Sequence, residues 1–308
     1  MTSGAIAAGA QPAVGQCERL AAAAVALGLS LDDAQLQRLL DFLQMLQRWN
    51  KVYNLTALRD PEQMLSHHLI DCLAMLPPLR GWVDRRQLGA CRAWGVDSEN
   101  RLQRGQFLPD LQPHSPAMGQ KDGEKWTAAV DSQPTLPKPD RLLAHADAAM
   151  LTVMPRGPRL RLLDVGSGGG LPGVVLALVQ ADWQLSCVDT VAKKASFIKQ
   201  VAVELRLPNL QGLHARVESL ASPPPDQLGG AAGYDLITSR AFASLADFTR
   251  LSAHLLAPDG VWVAMKGRVP DDEQADLPSD IEVFHVEQLQ VPGLEAQRCL
   301  VWMRRRQA

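Results

Sequence analysis

The chain has 308 residues, enough for one large domain or a core with an appendage, and 46% are hydrophobic, ample for a packed interior. The formal net charge of −2 gives no global basic field to draw the protein onto nucleic acid, so RNA affinity must come from a local patch. No apolar run reaches the roughly 18 residues that a membrane span needs. Five cysteines (Cys17, Cys72, Cys91, Cys187, Cys299) form no C-x-x-C pair. That argues against a metal site or a disulfide framework and fits a reducing, cytoplasmic setting. The opening MTSGAIAAGAQPAVGQ lacks a basic residue before its small apolar residues, so it is not expected to act as a signal peptide.

After a flexible stretch over 1–15, three helical patterns follow. The first covers 16–27 and ends at Gly28. Ser30 is placed to cap the second, with Asp33 three residues on, and Leu36, Leu39, Leu40, Leu43 and Leu46 recur at helical period. Asp60-Pro61-Glu62-Gln63 reads as a cap followed by proline at the first helical position, opening a helix to about Leu76 that stops at Pro77-Pro78. Residues 16–81 therefore form a helical layer. Residues 82–157, rich in proline, glycine, glutamine and charge, read as a loop-rich, partly disordered insertion whose Trp82, Trp94 and Trp126 could dock it on the body.

Residues 159–173, RLRLLDVGSGGGLPG, carry the strongest signal: an apolar run ending in an acid, then five glycines within eight residues. Leu160, Leu162, Leu163 and Val165 predict a buried parallel strand, and 171–181 predict a helix. Gly166, Gly168 and Gly170 allow a sharp turn at that helix's N-terminus, with no Cβ between chain and ligand. This is a nucleotide-cofactor turn. Gly168–Gly173 also spells the dinucleotide fingerprint G-x-G-x-x-G, which would make the protein an NAD-binding oxidoreductase. Asp164 favours another ligand. Its carboxylate repels a pyrophosphate but suits the ammonium and sulfonium of S-adenosylmethionine. Asp189, ending a second apolar strand, stands where such folds place an acid for ribose hydroxyls.

From 158 to 308 strands are predicted near 160–165, 183–189, 210–214, 234–239, 260–266, 282–288 and 298–304. Helices are predicted near 171–181, 191–206 and 244–257, with turns at Pro208-Asn209, 222–233 and Pro258-Asp259-Gly260. The alternation means an α/β fold: a seven-stranded, mostly parallel sheet with helices on both faces. No helical pattern of usual length separates the last two strands, so they close the sheet as an antiparallel edge. The acid–glycine–acid set on this frame resembles the class I, Rossmann-like methyltransferases.

Further motifs point to one family. They are WNKVYNLT at 49–56, HHLIDC at 67–72, DVGSGGGLPG at 164–173, SRAFAS at 239–244, and Lys266-Gly267 closing the fifth strand. In this order the set resembles the bacterial 16S ribosomal RNA guanine-N7 methyltransferase family, glucose-inhibited division protein B, over roughly 16–81 and 158–304. The departure is the segment 82–157, where that family passes almost directly from the third helix into the first strand.

The resemblance implies that Gly166 and Leu171 touch S-adenosylmethionine, with Asp164 and Asp189 at its amino-acid and ribose ends. It places Val217 and Glu218 near the adenine and Arg240 at the site's edge. It implies a 16S RNA or small-subunit particle as substrate, with no metal and no membrane. Lys51, His68, Arg240, Lys266 and Arg298 are the candidate RNA contacts. Lys51 lies beside Trp49 and Tyr53, which either clamp nucleotides or pack the helical layer on the sheet. His68 and Asp71 share a helix face and could pair with each other. No general base is expected, since guanine N7 attacks through its own lone pair; the N-P-P-Y motif of exocyclic-amine methylation is absent. A non-catalytic RNA-binding assembly factor remains the third alternative.

Overall fold

The computed structural model describes residues 14–87, 160–225, 231–240, 242 and 244–306. Trp94, Trp126 and Cys91, the rest of the expected insertion and the first 13 residues lie outside them. All described residues belong to one compact unit.

Helix α1 (Val14–Ala26) leads into α2 (Asp33–Tyr53). The cap of α2 is Asp32, not Ser30. Asp32 Oδ1 accepts from Gln35 N at 2.7 Å and Gln35 Oε1 accepts from Asp32 N at 3.1 Å, a reciprocal pairing that Ser30, two residues further out, cannot make. Asn54 ends α2 in the left-handed region, φ 50°. Asp60 caps the next helix as expected, accepting from Gln63 N at 2.9 Å with Pro61 in the first turn. That helix is α3 (Pro61–Met64), a π-helical turn (Leu65–Ile70) and α4 (Asp71–Leu73) in unbroken succession. Within that wide turn His68 is buried, whereas His67 Nδ1 bonds Gln63 O of its own helix at 3.1 Å.

Pro77-Pro78 does not end the helical layer. Both prolines lie in the opening turn of α5 (Leu76–Gln87), where their missing N–H groups and fixed φ are tolerated. Residues 82–87, expected as insertion, are thus helix. Trp82 is buried, its ring centroid 6.4 Å from that of Trp302.

The seven strands are β1 (Arg161–Val165), β2 (Gln184–Asp189), β3 (Leu210–His214), β4 (Tyr234–Arg240), β5 (Leu256–Lys266), β6 (Ile281–Leu289) and β7 (Arg298–Arg305). Their order is β3-β2-β1-β4-β5-β7-β6. The first five are parallel, and β7 runs antiparallel to both β5 and β6. Helices α6 (Gly173–Val179), α7 (Ala192–Glu204), α8 (Leu245–Ser252) and the short α9 (Asp271–Ala275) connect them. The predicted turn at Pro258-Asp259-Gly260 lies within β5, whose pairing with β4 is irregular there and lets the strand run on.

One apolar core lies between the sheet and α6, α7 and the helical layer, joining Leu39, Leu46, Leu176, Phe197 and Trp302. The second lies under α8 and joins Ile237, Phe248 and Trp262. Chain direction from β1 goes one way to β2 and the other way to β4. In open α/β sheets the ligand crevice lies outside the carboxyl ends of the strands at that reversal.

Candidate functional site

The glycine turn occupies that crevice. Gly166 N and Ser167 N donate to Val188 O at 2.9 and 3.2 Å, tying the turn to β2. Gly166, Gly168 and Gly170 adopt φ of 69°, 57° and 82°, values that other residues rarely take. The glycines divide by duty. A Cβ on Gly169 would meet Leu46 at 2.8 Å, on Gly170 Val174 at 2.4 Å, and on Gly173 Cys187 Sγ at 2.3 Å, so these three permit close packing of α2, α6 and β2. Gly166 and Gly168 reach the surface, and a Cβ on Gly168 would approach only Gly166 O, at 3.9 Å. Those two are the face a ligand can approach.

Asp164 is fully buried beneath the turn. Its Oδ2 accepts from Gly173 N at 2.9 Å, whereas Oδ1 finds no hydrogen-bond partner among the described residues. Burial pushes its pKa up to about 7, against the lowering influence of the Gly173 hydrogen bond and of Arg240. A buried acceptor left over in this way fits a cationic group, and the donor set therefore suits the amino-acid end of S-adenosylmethionine. Asp189 braces the turn from β2: Oδ2 accepts from Gly168 N at 3.0 Å and Oδ1 from Val191 N at 2.8 Å. Oδ2 also faces Lys194 Nζ at 3.7 Å, and Oδ1 keeps a lone pair for a hydroxyl.

Leu171 and Val217 are buried side chains of the two cores. Glu218 lies in a 3-10 turn (Val217–Ser219), where its carboxylate meets Arg216 at 3.0 Å. Its pKa is lowered, chiefly by a hydrogen bond from its own N–H and then by Arg216.

Arg240, the last residue of β4, gathers three of the motifs into one buried polar cluster. Its Nη1 donates to His67 O at 2.9 Å and lies 3.3 Å from Asp71 Oδ2, and its Nη2 donates to His68 Nδ1 at 3.1 Å. Burial, and then the charge of Arg240, press the pKa of His68 down to about 4. His68 is therefore neutral near pH 7, accepting at Nδ1 and donating from Nε2 to Thr56 Oγ1 at 2.8 Å. Asp71 Oδ1 accepts from Arg298 Nε at 3.0 Å. Burial raises the Asp71 pKa, and the two arginines oppose that rise. His68 and Asp71 do not pair with each other; both serve Arg240. At 3% exposure His68 presents no surface to RNA, contrary to the expectation for it.

Lys266 ends β5 and is ion-paired, its Nζ 2.9 Å from both Glu273 oxygens, while Glu273 Oε2 also accepts from Leu245 N at 2.8 Å. Lys51 is exposed on α2. Trp49 packs its ring 5.4 Å from Phe197 and 5.2 Å from Tyr53, so it joins the helical layer to α7, and Tyr53 is 40% exposed. Sequence reasoning missed Thr56, Ser239, Phe242 and Glu273. The first three lie inside the quoted motifs, but only folding shows what they touch. Glu273 carries no such signal.

Comparisons with known proteins agree with this frame. A family model described as GidB, rRNA small subunit methyltransferase G, matches residues 35–85 and 137–301. The protein named Ribosomal RNA small subunit methyltransferase G from Acidovorax sp. (strain JS42) is 47% identical over 279 residues, covering 91% of each chain. Proteins of the same name from Paracidovorax citrulli (strain AAC00-1) and Leptothrix cholodnii (strain ATCC 51168 / LMG 8142 / SP-6) are 47% and 45% identical. They cover 93% and 94% of this chain and 89% and 95% of their own. The NAD-oxidoreductase and assembly-factor alternatives are not favoured by these matches. With an acid–glycine–acid turn at the switch point of a class I sheet, and relatives matched along nearly its whole length, the chain belongs to the GidB family of small-subunit rRNA methyltransferases.

Proposed function

We propose that this protein is an S-adenosylmethionine-dependent methyltransferase that methylates N7 of one guanine in 16S ribosomal RNA, free or within the small-subunit particle, in the cytoplasm. The observation that carries this reading is Asp164: a fully buried carboxylate under the glycine turn with one oxygen unpaired among the described residues, in a chain of this family. When bound, the cofactor would supply an electrophilic methyl group; guanine N7 takes it through its own lone pair as the S–CH3 bond breaks and S-adenosylhomocysteine leaves, with no proton to remove.

The protein's task is alignment and exclusion of water. Asp164 Oδ1 would accept from the cofactor's ammonium group, and Asp189 would accept from its ribose hydroxyls. Gly166 and Gly168 admit it against the backbone, and Leu171, Val217 and Glu218 border it. Arg240, fixed by His67, His68 and Asp71, supplies positive charge at the cofactor's carboxylate end. Arg298, Lys266 and Lys51 attract RNA phosphates. Because Lys266 is held by Glu273, a phosphate must displace that carboxylate to reach it. Among the described residues there is no cluster suited to a metal ion and no helix long and apolar enough to cross a membrane.

The test is transfer of labelled methyl from S-adenosylmethionine to purified small subunits and to protein-free 16S RNA. Label confined to one guanine is expected. Saturable cofactor binding with no label in either RNA would leave a binding module in place of an enzyme.

A further inference from the structure

The turn after α2 is built around Asn50, which is buried. Its Oδ1 accepts from Thr56 N at 2.9 Å and its Nδ2 donates to Leu58 O at 2.8 Å, so the side chain spans the turn and fixes Thr56 in place. Leu58 N donates to Thr56 Oγ1 at 3.3 Å, which engages one lone pair of that hydroxyl and leaves the other. Thr56 Oγ1 then stands 2.8 Å from His68 Nε2. A run of hydrogen bonds thus leads from α2 through Thr56 and the buried His68 ring to Arg240 at the end of β4.

The other ring nitrogen has two neighbours of opposite kind. Nδ1 lies 3.1 Å from His67 O, which only accepts, and 3.1 Å from Arg240 Nη2, which only donates. A neutral ring serves one of them. With the proton on Nε2, Nδ1 accepts from Arg240; with the proton on Nδ1, it donates to His67 O and turns a donor towards the guanidinium. His67 O does not need that proton, since it already accepts from Arg240 Nη1 at 2.9 Å. The charge of Arg240 favours the first form and Thr56 makes it possible. A buried N–H at Nε2 requires an acceptor, and the Thr56 hydroxyl is the one within reach among the described residues.

We infer that Thr56 is a positioning residue for the transfer reaction: its hydroxyl fixes the Nε2–H tautomer of His68, and that ring in turn holds Arg240 at the site. The inference rests on the proposed place of Arg240 at the cofactor's carboxylate end and adds a residue that acts through it without touching the cofactor. When the proton moves to Nδ1, Arg240 keeps His67 O and Asp71 but loses the ring, so its side chain is loosened and not released.

Thr56→Val keeps a branched side chain and removes the acceptor. With the histidine rings isotopically labelled in nitrogen, and the His68 signals identified by their absence from His68→Ala, NMR reads which ring nitrogen carries the proton. The unsubstituted protein should carry it on Nε2, and Thr56→Val should carry it on Nδ1. In Thr56→Val the Kd for S-adenosylmethionine should rise about three- to tenfold, the worth of one hydrogen bond. Thr56→Ser should restore both the tautomer and the affinity. Added to His68→Ala, Thr56→Val should change Kd no further, whereas damage to the turn alone would add its own loss. A proton on Nδ1 in the unsubstituted protein, an unmoved proton in Thr56→Val, or full additivity in the double variant overturns the inference. So does an affinity that Arg240→Gln loses and Thr56→Val keeps. If Arg240→Gln itself binds the cofactor as tightly as the unsubstituted protein, the proposed place of Arg240 falls by itself. The ring measurement then decides what Thr56 does: a proton that moves in Thr56→Val sustains its hold on the ring that faces Arg240, and one that stays ends it.

Discussion

Replacing Asp164 with asparagine should raise stability and lower cofactor affinity together. The shape is kept, and the carboxamide oxygen can still accept from Gly173 N, which lies 2.9 Å from Oδ2 in the native protein. What changes is charge. Burial holds the Asp164 pKa at about 7, above its usual value of 3.8. A carboxyl raised in this way gives its full stabilisation below the unfolded pKa, and that contribution is lost as pH rises through about 7. Asparagine has no such loss, so the variant's melting temperature should equal the native one near pH 4 and exceed it increasingly towards pH 8. Cofactor binding moves the opposite way. The charge-assisted bond from an ammonium group to Oδ1 is worth roughly 1.5–3 kcal/mol, so Kd should rise about ten- to a hundredfold at pH 8. In the native protein Kd should also rise as pH falls below about 7, because binding then requires a proton to leave. Thermal melts and calorimetric titrations from pH 5.5 to 8 measure both. A variant that melts lower at pH 8, or binds the cofactor as tightly as the native protein, refutes the assignment of Asp164.

Gly173→Ala drives a methyl group to within 2.3 Å of Cys187 Sγ and 2.9 Å of Asp164 Oδ2, and such overpacking should cost about 1–3 kcal/mol in denaturant unfolding. An unchanged midpoint would mean that α6 stands further from β2. Asp71→Ala removes the carboxylate shared by two partly exposed arginines and should cost roughly 1–3 kcal/mol, part of it recovered when Arg298→Met is added. Strictly additive losses in that double variant count against a shared cluster. Glu273→Gln frees Lys266 and should tighten RNA binding while steepening its salt dependence by about one charge; a slope that does not change removes Lys266 from the RNA contacts.

The α/β frame was legible because its signals are local. Alternating apolar runs marked all seven strands to within a residue or two, except the start of β5. There Pro258-Asp259-Gly260 falls in the irregularity between the Tyr234–Leu256 and Leu236–Val261 pairs, and the strand continues through the turn signature. Pro77-Pro78 misled for a related reason: proline stops a helix already under way but is tolerated in the first turn of a new one, and α5 begins just before it. The acid–glycine–acid turn was readable because backbone geometry restricts what stands there. The partners of His68, Asp71, Arg240 and Arg298 were not, since the cluster joins residues up to 227 positions apart. Nor does a sequence reveal that Lys266 is answered by Glu273, or that the hydroxyl of Ser239 has no partner among the described residues.

The proposed methylation acts on one atom of one base. Mass mapping of 16S ribosomal RNA from cells with and without the gene tests it most directly, with add-back of purified protein and S-adenosylmethionine to the deficient subunits. A single 7-methylguanine is expected to disappear without the gene and to return on add-back. Methylation identical in both strains, or a restored methyl on any position other than guanine N7, contradicts it.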